Sequence, residues 1–322
     1  MRKLTALLLL LTMLLPGAVL AEEPAAESPA EAAAAPVLTA EAPLPIDLTP
    51  GHVPNPDCYI AADEANGVLQ GYEDASLKVE MRRERIGDST FNVAEIWIAD
   101  ASQLRTGLAN EKGTRTNKIS TMAKNQNAVV AIGGDYFSDA KNGYVVRMGK
   151  TFRKSPKTVY DMLLIDNEGN FHIILESNPT ELKALLTESG LTFPNAFHFG
   201  PALIKDGELL PSPQYYVDNG NKYNTRSTSE PRCAIGQMGP LEYMFVVVDG
   251  RRDDSDGCST DELAAWMHEQ GVQQAYNLDG GNSALMWFGG ENYSDKTVKG
   301  ERSVSDIIYI ATAVDHGLDG EE

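Results

Sequence analysis

EYMFVVVDGRRDDSDGCSTDELAAWMHEQGVQQAYNLDGGNS, residues 242–283, is the stretch on which the fold turns. An apolar run, Tyr243 to Val248, stops at Asp249-Gly250-Arg251. After a polar loop, Ser259 stands as a helix cap with Glu262 three residues on as its capping-box partner. Leu263, Trp266 and Met267 then fall on one helical face, and Gly271 marks the stop. A second apolar run, Ala275 to Leu278, ends at Asp279-Gly280-Gly281-Asn282-Ser283. Strand, helix, strand at these lengths reads as a crossover unit, so the two strands are expected to be parallel neighbours. Ligands collect at the carboxyl ends of parallel strands, and Asp249 and Asp279 each stand at such an end. The glycines beside them let a ligand approach the backbone. Asp-Gly pairs also simply make turns, and that reading stands beside the functional one.

Outward from this unit, the chain reads mostly as strands. Leu77 to Met81 and Phe91 to Ile98 alternate, with Arg82 to Ser89 as their turn. A helix is expected within 116–126, its inner face Ile119, Met122 and Ala123. Ala128 to Ile132 is a short buried strand closing at Gly133-Gly134-Asp135-Tyr136-Phe137, the third apolar strand to end in glycine and aspartate. Hairpins are expected over 145–152, 163–174 and 201–210, the last turning at Asp206-Gly207. Between the last two, Asn178 caps a helix with Pro179 as its first residue and Glu181 as box partner. His198, between Phe197 and Phe199, serves as an acid–base group, a hydrogen-bond donor or a structural histidine. Residues 211–229 read as a polar flap or an ordinary loop. Arg232 opens the strand hairpinned to 243–248, which places it at the same edge as Asp249 and Arg251. Arginine forks take phosphate oxygens and aspartates accept sugar hydroxyls, so this edge suits an anionic, hydroxylated ligand.

The N-terminus is expected to be processed. Arg2 and Lys3 precede an apolar run from Leu4 to Leu15, and Val19-Leu20-Ala21 fits a cleavage site, so residues 1–21 read as a signal peptide and the product as secreted or envelope-associated. Residues 22–45, rich in Ala, Glu and Pro, read as a disordered linker. Residues 46–322 then form one domain, with its core at about 77–314. Without Arg2 and Lys3, 25 basic residues face 46 acidic ones, a net charge of −21 that argues against a nucleic-acid partner. No later run is apolar and long enough for a membrane span, and oligomeric state is left open. Of three cysteines, Cys233 and Cys258 lie in the two loops of interest and are the expected disulfide pair. The histidines are scattered and no CxxC occurs, so neither a metal site nor a cofactor is expected. Asp253 to Gly257 lacks the ligand positions of a calcium loop and reads as a surface charge run.

Five segments in this order resemble the phosphodiester glycosidase family: 133–137 (GGDYF), 200–207 (GPALIKDG), 231–236 (PRCAIG), 249–251 (DGR) and 277–283 (NLDGGNS). The family includes the animal uncovering enzyme, which removes N-acetylglucosamine from a sugar phosphodiester. The resemblance covers about 77–314. Departures fall at Asp135, where the family has Asn-Gly-Gly-Phe-Phe around this turn, at Cys233 (Thr or Ser), at Cys258 (Met) and around Asn282 (Gly or Ser). The paired cysteine departures are what an added disulfide would look like.

The resemblance implies a secreted hydrolase that cleaves the glycosidic bond of a sugar-1-phosphodiester. Arginines would stabilise the charge of the departing phosphate, and a carboxylate would activate water or attack the anomeric carbon. Asp249 and Asp279 are the expected carboxylates, Arg232 and Arg251 the phosphate ligands, and His198 a further catalytic candidate. Substrate contacts are expected from Gly134, Asp135, Tyr136, Gly200, Gly280, Gly281, Asn282, Ser283 and Arg302. The alternatives are a phosphodiesterase that cuts the P–O bond and a non-catalytic glycan-binding surface module. The expected fold class is α+β: a mixed sheet with antiparallel hairpins and at least one parallel βαβ crossover, in a single domain.

Overall fold

Strands Leu77–Ile86 and Ser89–Ile98 form a long antiparallel hairpin, Leu77 opposite Ile98 and Ile86 opposite Ser89. Its turn is only Gly87-Asp88, shorter than the expected 82–89. The charged run Arg82 to Arg85 stays in the ladder because its charges reach solvent or ion pairs, Arg82 bonding Glu84 and Glu95. The computed structural model describes residues 38, 46, 54–135, 143–156, 160–211, 216–218, 221–223 and 228–314. The expected signal peptide, most of the linker, Tyr136 and most of the 211–229 segment lie outside them.

This hairpin is part of a nine-stranded sheet. The order is Tyr59–Ile60, Gln70–Glu73, Leu77–Ile86, Ser89–Ile98, Glu242–Val248, Arg232–Gly239, Gln274–Asn277, Ala202–Lys205 and Glu208–Leu209. A second sheet runs Glu291–Asn292, Met286–Phe288, Ala128–Gly133, Asp306–Ala311, Leu104–Leu108. A third runs Phe171–Ile174, Met162–Ile165, Asn195–Phe197, Gly143–Arg147, Lys150–Ser155. The inward faces of all three share one apolar core, with Ile96, Phe245 and Tyr276 from the first, Ile132 and Ile308 from the second, and Leu163 and Phe197 from the third. Three α-helices among the described residues cover outer faces. Helix α1 (Ile119–Asn125) packs Ile119, Met122 and Ala123 against Ala131 and Ile307. Helix α2 (Pro179–Glu188) is capped by Asn178 and buries Leu182. Helix α3 (Thr260–Glu269) carries the Ser259–Glu262 capping box and buries Leu263, Trp266 and Met267.

The expected parallel crossover is not formed, and the mixed α+β sheet gives way to a predominantly β architecture. Every strand pairing among the described residues is antiparallel. Glu242–Val248 and Gln274–Asn277 do run the same way, but Arg232–Gly239 lies between them and is antiparallel to both: Ala234 faces Val246 on one side and Asn277 on the other. A tight turn binds Arg232–Gly239 to its hairpin partner, so the position beside Glu242–Val248 is already filled when α3 brings the chain back. The helix therefore spans two inter-strand spacings instead of one.

Candidate active site

The intervening strand changes who stands beside whom at the sheet edge. Arg232–Gly239 begins where its two neighbours end, so Arg232 is flanked by the segments that lead to Asp249 and Asp279. Leu278 N donates to Cys233 O at 2.8 Å and Gly281 N to Pro231 O at 2.8 Å, which carries the Asp279 turn along the Arg232 strand. Gly280 has no room for a side chain, since a Cβ would lie 2.6 Å from Pro231 O. Asp279 N donates to Gly134 O, and Gly134 N donates to Asp306 O, each at 3.1 Å. Gly134 thus ties the Asp279 turn to the second sheet.

Behind Gly134 lies a buried charge cluster. Arg147 Nη2 bonds Asp135 Oδ1 at 2.7 Å and its Nε bonds Asp306 Oδ2 at 2.6 Å, with all three side chains 1% exposed or less. Its Nη1 donates to the carbonyls of Val146 and Ala196, and the guanidinium lies 4.0 Å from the Phe197 ring centre. One guanidinium faces two carboxyls, so one negative charge is uncompensated unless an acid keeps its proton. Burial pushes Asp306 up to about 7, opposed by Arg147 and reinforced by Asp135 and Asp279. Its Oδ1 has no hydrogen-bond partner among the described residues. The sequence reading missed both Arg147 and Asp306. Their partners are 12 and 159 residues from Arg147, and no local pattern announces such a pairing.

Asp135 also ties this cluster to the third sheet. Asp135 Oδ2 accepts from His198 N at 3.2 Å. The half-buried His198 ring places Nε2 3.1 Å from Ser177 Oγ, which itself donates to Tyr160 O at 2.7 Å. The serine proton is committed to that carbonyl, so Nε2–H is the donor to Ser177. Tyr276 Oη donates to Asp161 O and accepts from Phe199 N, fixing the segment that leads to Gly200. Gly200 has φ +83° and precedes a cis proline; its carbonyl accepts from Asn277 Nδ2 at 2.9 Å.

On the solvent side, exposed Arg251 bonds Glu230 through Nε at 2.5 Å and Asn282 Oδ1 through Nη1 at 3.2 Å. Thr297 Oγ1 donates to the same Asn282 oxygen at 3.0 Å. A Cβ on Gly281 would stand 3.3 Å from the Arg251 guanidinium, so this glycine and Arg251 are immediate neighbours. Ser283 is buried with its Oγ lacking a hydrogen-bond partner among the described residues. Arg302 is exposed and lines a shallow depression with Asn282, Ser283, Lys296 and Thr297.

Two expected site residues are buried. Arg232 is buried and donates from Nε to Cys258 O and from Nη2 to Thr228 O, both at 2.8 Å; it anchors neighbouring loops. Asp249 is buried, and its Oδ1 accepts from Asp295 N at 3.1 Å. Burial pushes its carboxyl up to about 6, against the Asn92 hydrogen bond that favours the anion. The expected Cys233–Cys258 disulfide is absent and both thiols are free. Cys233 faces the shared inter-sheet core, whereas Cys258 packs with Leu263 and Met267 under α3, on the other side of the nine-stranded sheet. Among the described residues, no group of three or more His, Cys, Asp or Glu is arranged to hold a metal ion.

Residues 126–311, more than half of the chain, match the phosphodiester glycosidase family. The chain belongs to that family. The matched region contains the Gly134 turn, Arg147, His198, Arg251, the Asp279 turn and Asp306. The fold is similar to the catalytic domain of zebrafish N-acetylglucosamine-1-phosphodiester alpha-N-acetylglucosaminidase, auto-inhibited by its pro-peptide (TM-score 0.57, 18% identity, 83% of this chain and 96% of that one). It is also similar to a hypothetical protein from Synechocystis (TM-score 0.54, 17% identity, 76% of this chain and 64% of that one). At the sequence level, 117 residues are 27% identical to the SPbeta prophage-derived uncharacterized protein YomE of Bacillus subtilis (strain 168), covering 36% of this chain and 17% of that relative. The chain therefore aligns with less than a fifth of that relative's length.

Proposed function

We propose that this phosphodiester glycosidase family member is an exported hydrolase that cleaves the glycosidic bond of a sugar-1-phosphodiester. The observation that carries the reading is the Asp279-Gly280-Gly281-Asn282 turn. It holds half-buried Asp279, one carboxylate oxygen of which is buried, at the head of a glycine pair, with the Arg251 guanidinium against Gly281 and Asn282. A phosphate monoester is a stabilised leaving anion, so a cation at the phosphate lowers the barrier more than a strong general acid does. Arg251 and Asn282 would hold the phosphate. Asp279 would activate water or attack the anomeric carbon. Gly134, packed against Asp306, would hold the turn in register. Arg232 ties down the neighbouring loops, donating from Nε and Nη2 to the carbonyls of Cys258 and Thr228.

The test is hydrolysis of a sugar-1-phosphodiester by wild type and by Asp279→Asn, with and without a chelator. The reading expects free sugar and a phosphomonoester from the wild type, no effect of chelator, and a loss of at least a hundredfold in kcat in the variant. Turnover that survives in Asp279→Asn would refute the assignment of the carboxylate. Binding of sugar phosphodiesters without turnover would turn the reading to a glycan-binding module.

A further inference from the structure

The chain is acidic overall, yet residues 141–160 contain six basic residues and no acidic one. Four of the six, Arg147, Lys150, Arg153 and Lys154, fall on one hairpin, Gly143–Arg147 with Lys150–Ser155; Arg147 is committed to the buried cluster, and among the described residues the second strand is the edge of its sheet. Lys150 and Lys154 are exposed on that edge. Lys150 Nζ donates to the carbonyl of Glu111 at 2.7 Å and forms no ion pair among the described residues. Arg153, half-buried on the same strand, lies within electrostatic reach of Asp135 and Arg147. The basic edge is therefore the outer strand of the hairpin that carries Arg147, whose partner Asp135 follows Gly134.

Lysines on an edge strand also guard against strand addition. That purpose is served by charge of either sign, and in so acidic a chain it does not explain why this hairpin excludes acids altogether. A local positive field on a negative protein attracts anions to that one place. We propose that the Lys150–Ser155 edge is a track for an anionic polymer, specifically a glycan with repeated phosphodiesters, whose end enters the neighbouring site. The choice of a phosphodiester glycan over a nucleic acid rests on the reading of that site under Proposed function.

The track and the site are tested separately. Binding of a poly(N-acetylglucosamine 1-phosphate) chain is measured against salt, beside single-stranded DNA of equal charge, for wild type and for Lys150→Glu/Lys154→Glu. Turnover of a small sugar-1-phosphodiester is measured in parallel. Three phosphate contacts on a flexible chain, each adding about −0.7 to the slope of log affinity against log salt, predict binding about 20-fold weaker at 200 mM than at 50 mM salt. The double variant is expected to bind at least tenfold more weakly at 50 mM, with small-substrate turnover unchanged. No binding of the polymer, binding untouched by the double variant, or tighter binding of DNA overturns the proposal. If wild type binds the polymer through these lysines but cleaves no small phosphodiester, the track stands and the reading of the site fails.

Discussion

Arg147 and Asp306 meet at 2.6 Å, Nε to Oδ2, with neither side chain more than 1% exposed. The same guanidinium serves Asp135, and burial favours the neutral form of Asp306. The consequence for stability has a definite sign. In the unfolded chain an aspartate titrates near 3.9, whereas folded Asp306 keeps its proton to about 7. The folded state binds more protons across that window, so this contribution is full below about pH 4 and is lost as pH rises to about 7. Asn at this position is neutral at every pH. The Tm of Asp306→Asn relative to wild type should therefore rise between about pH 4 and 7 and level off above. A difference that stays constant over this range would contradict the account.

Removing the cation should be more damaging than replacing either acid. Arg147→Met leaves Asp135 and Asp306 buried without their shared partner, a change that costs about 3–5 kcal/mol. Urea unfolding of the variant is the measurement; a loss below about 1 kcal/mol would show that the cluster relaxes into solvent.

Gly134 is a steric requirement of the site. A Cβ there would stand 2.5 Å from Asp306 Oδ1, in a cluster that cannot move outward. Gly134→Ala should cost about 1–3 kcal/mol by overpacking and should displace the Asp279 turn, because Gly134 O receives the Asp279 amide. Turnover should fall in parallel. A variant with wild-type stability and turnover would remove Gly134 from the account.

The thiols offer a chemical check. Cys233 and Cys258 face opposite sides of the nine-stranded sheet, and burial pushes the Cys258 thiol up to about 12. Denatured without reductant, the chain should release three titratable thiols and, kept folded, should react slowly at both buried positions. Recovery of one thiol would mean that a disulfide forms.

Local pattern made much of this structure legible. The Ser259–Glu262 box, the Asn178-Pro179 start and the buried faces of α1 and α3 follow from spacing alone, since caps and apolar stripes are written within a few residues. Whatever depends on a third segment was hidden. Periodicity gave the direction of Glu242–Val248 and Gln274–Asn277 but not the strand between them, because hairpin partnership with Arg232–Gly239 decides that place. The Asp279-Gly280-Gly281 turn stood out as a motif, whereas Arg147, in an ordinary alternating run, is committed to a buried cluster by residues remote in sequence. Arg232 was placed at the correct edge, yet its guanidinium is turned to loop carbonyls, a choice of rotamer that spacing does not encode.

The central claim is that the bond broken lies between the anomeric carbon and oxygen. Hydrolysis of a sugar-1-phosphodiester in water enriched in oxygen-18 tests it directly, with both products weighed by mass spectrometry. The account predicts the label in the free sugar and none in the phosphomonoester. Label in the phosphomonoester would mean attack at phosphorus, and the protein would then be a phosphodiesterase on this fold.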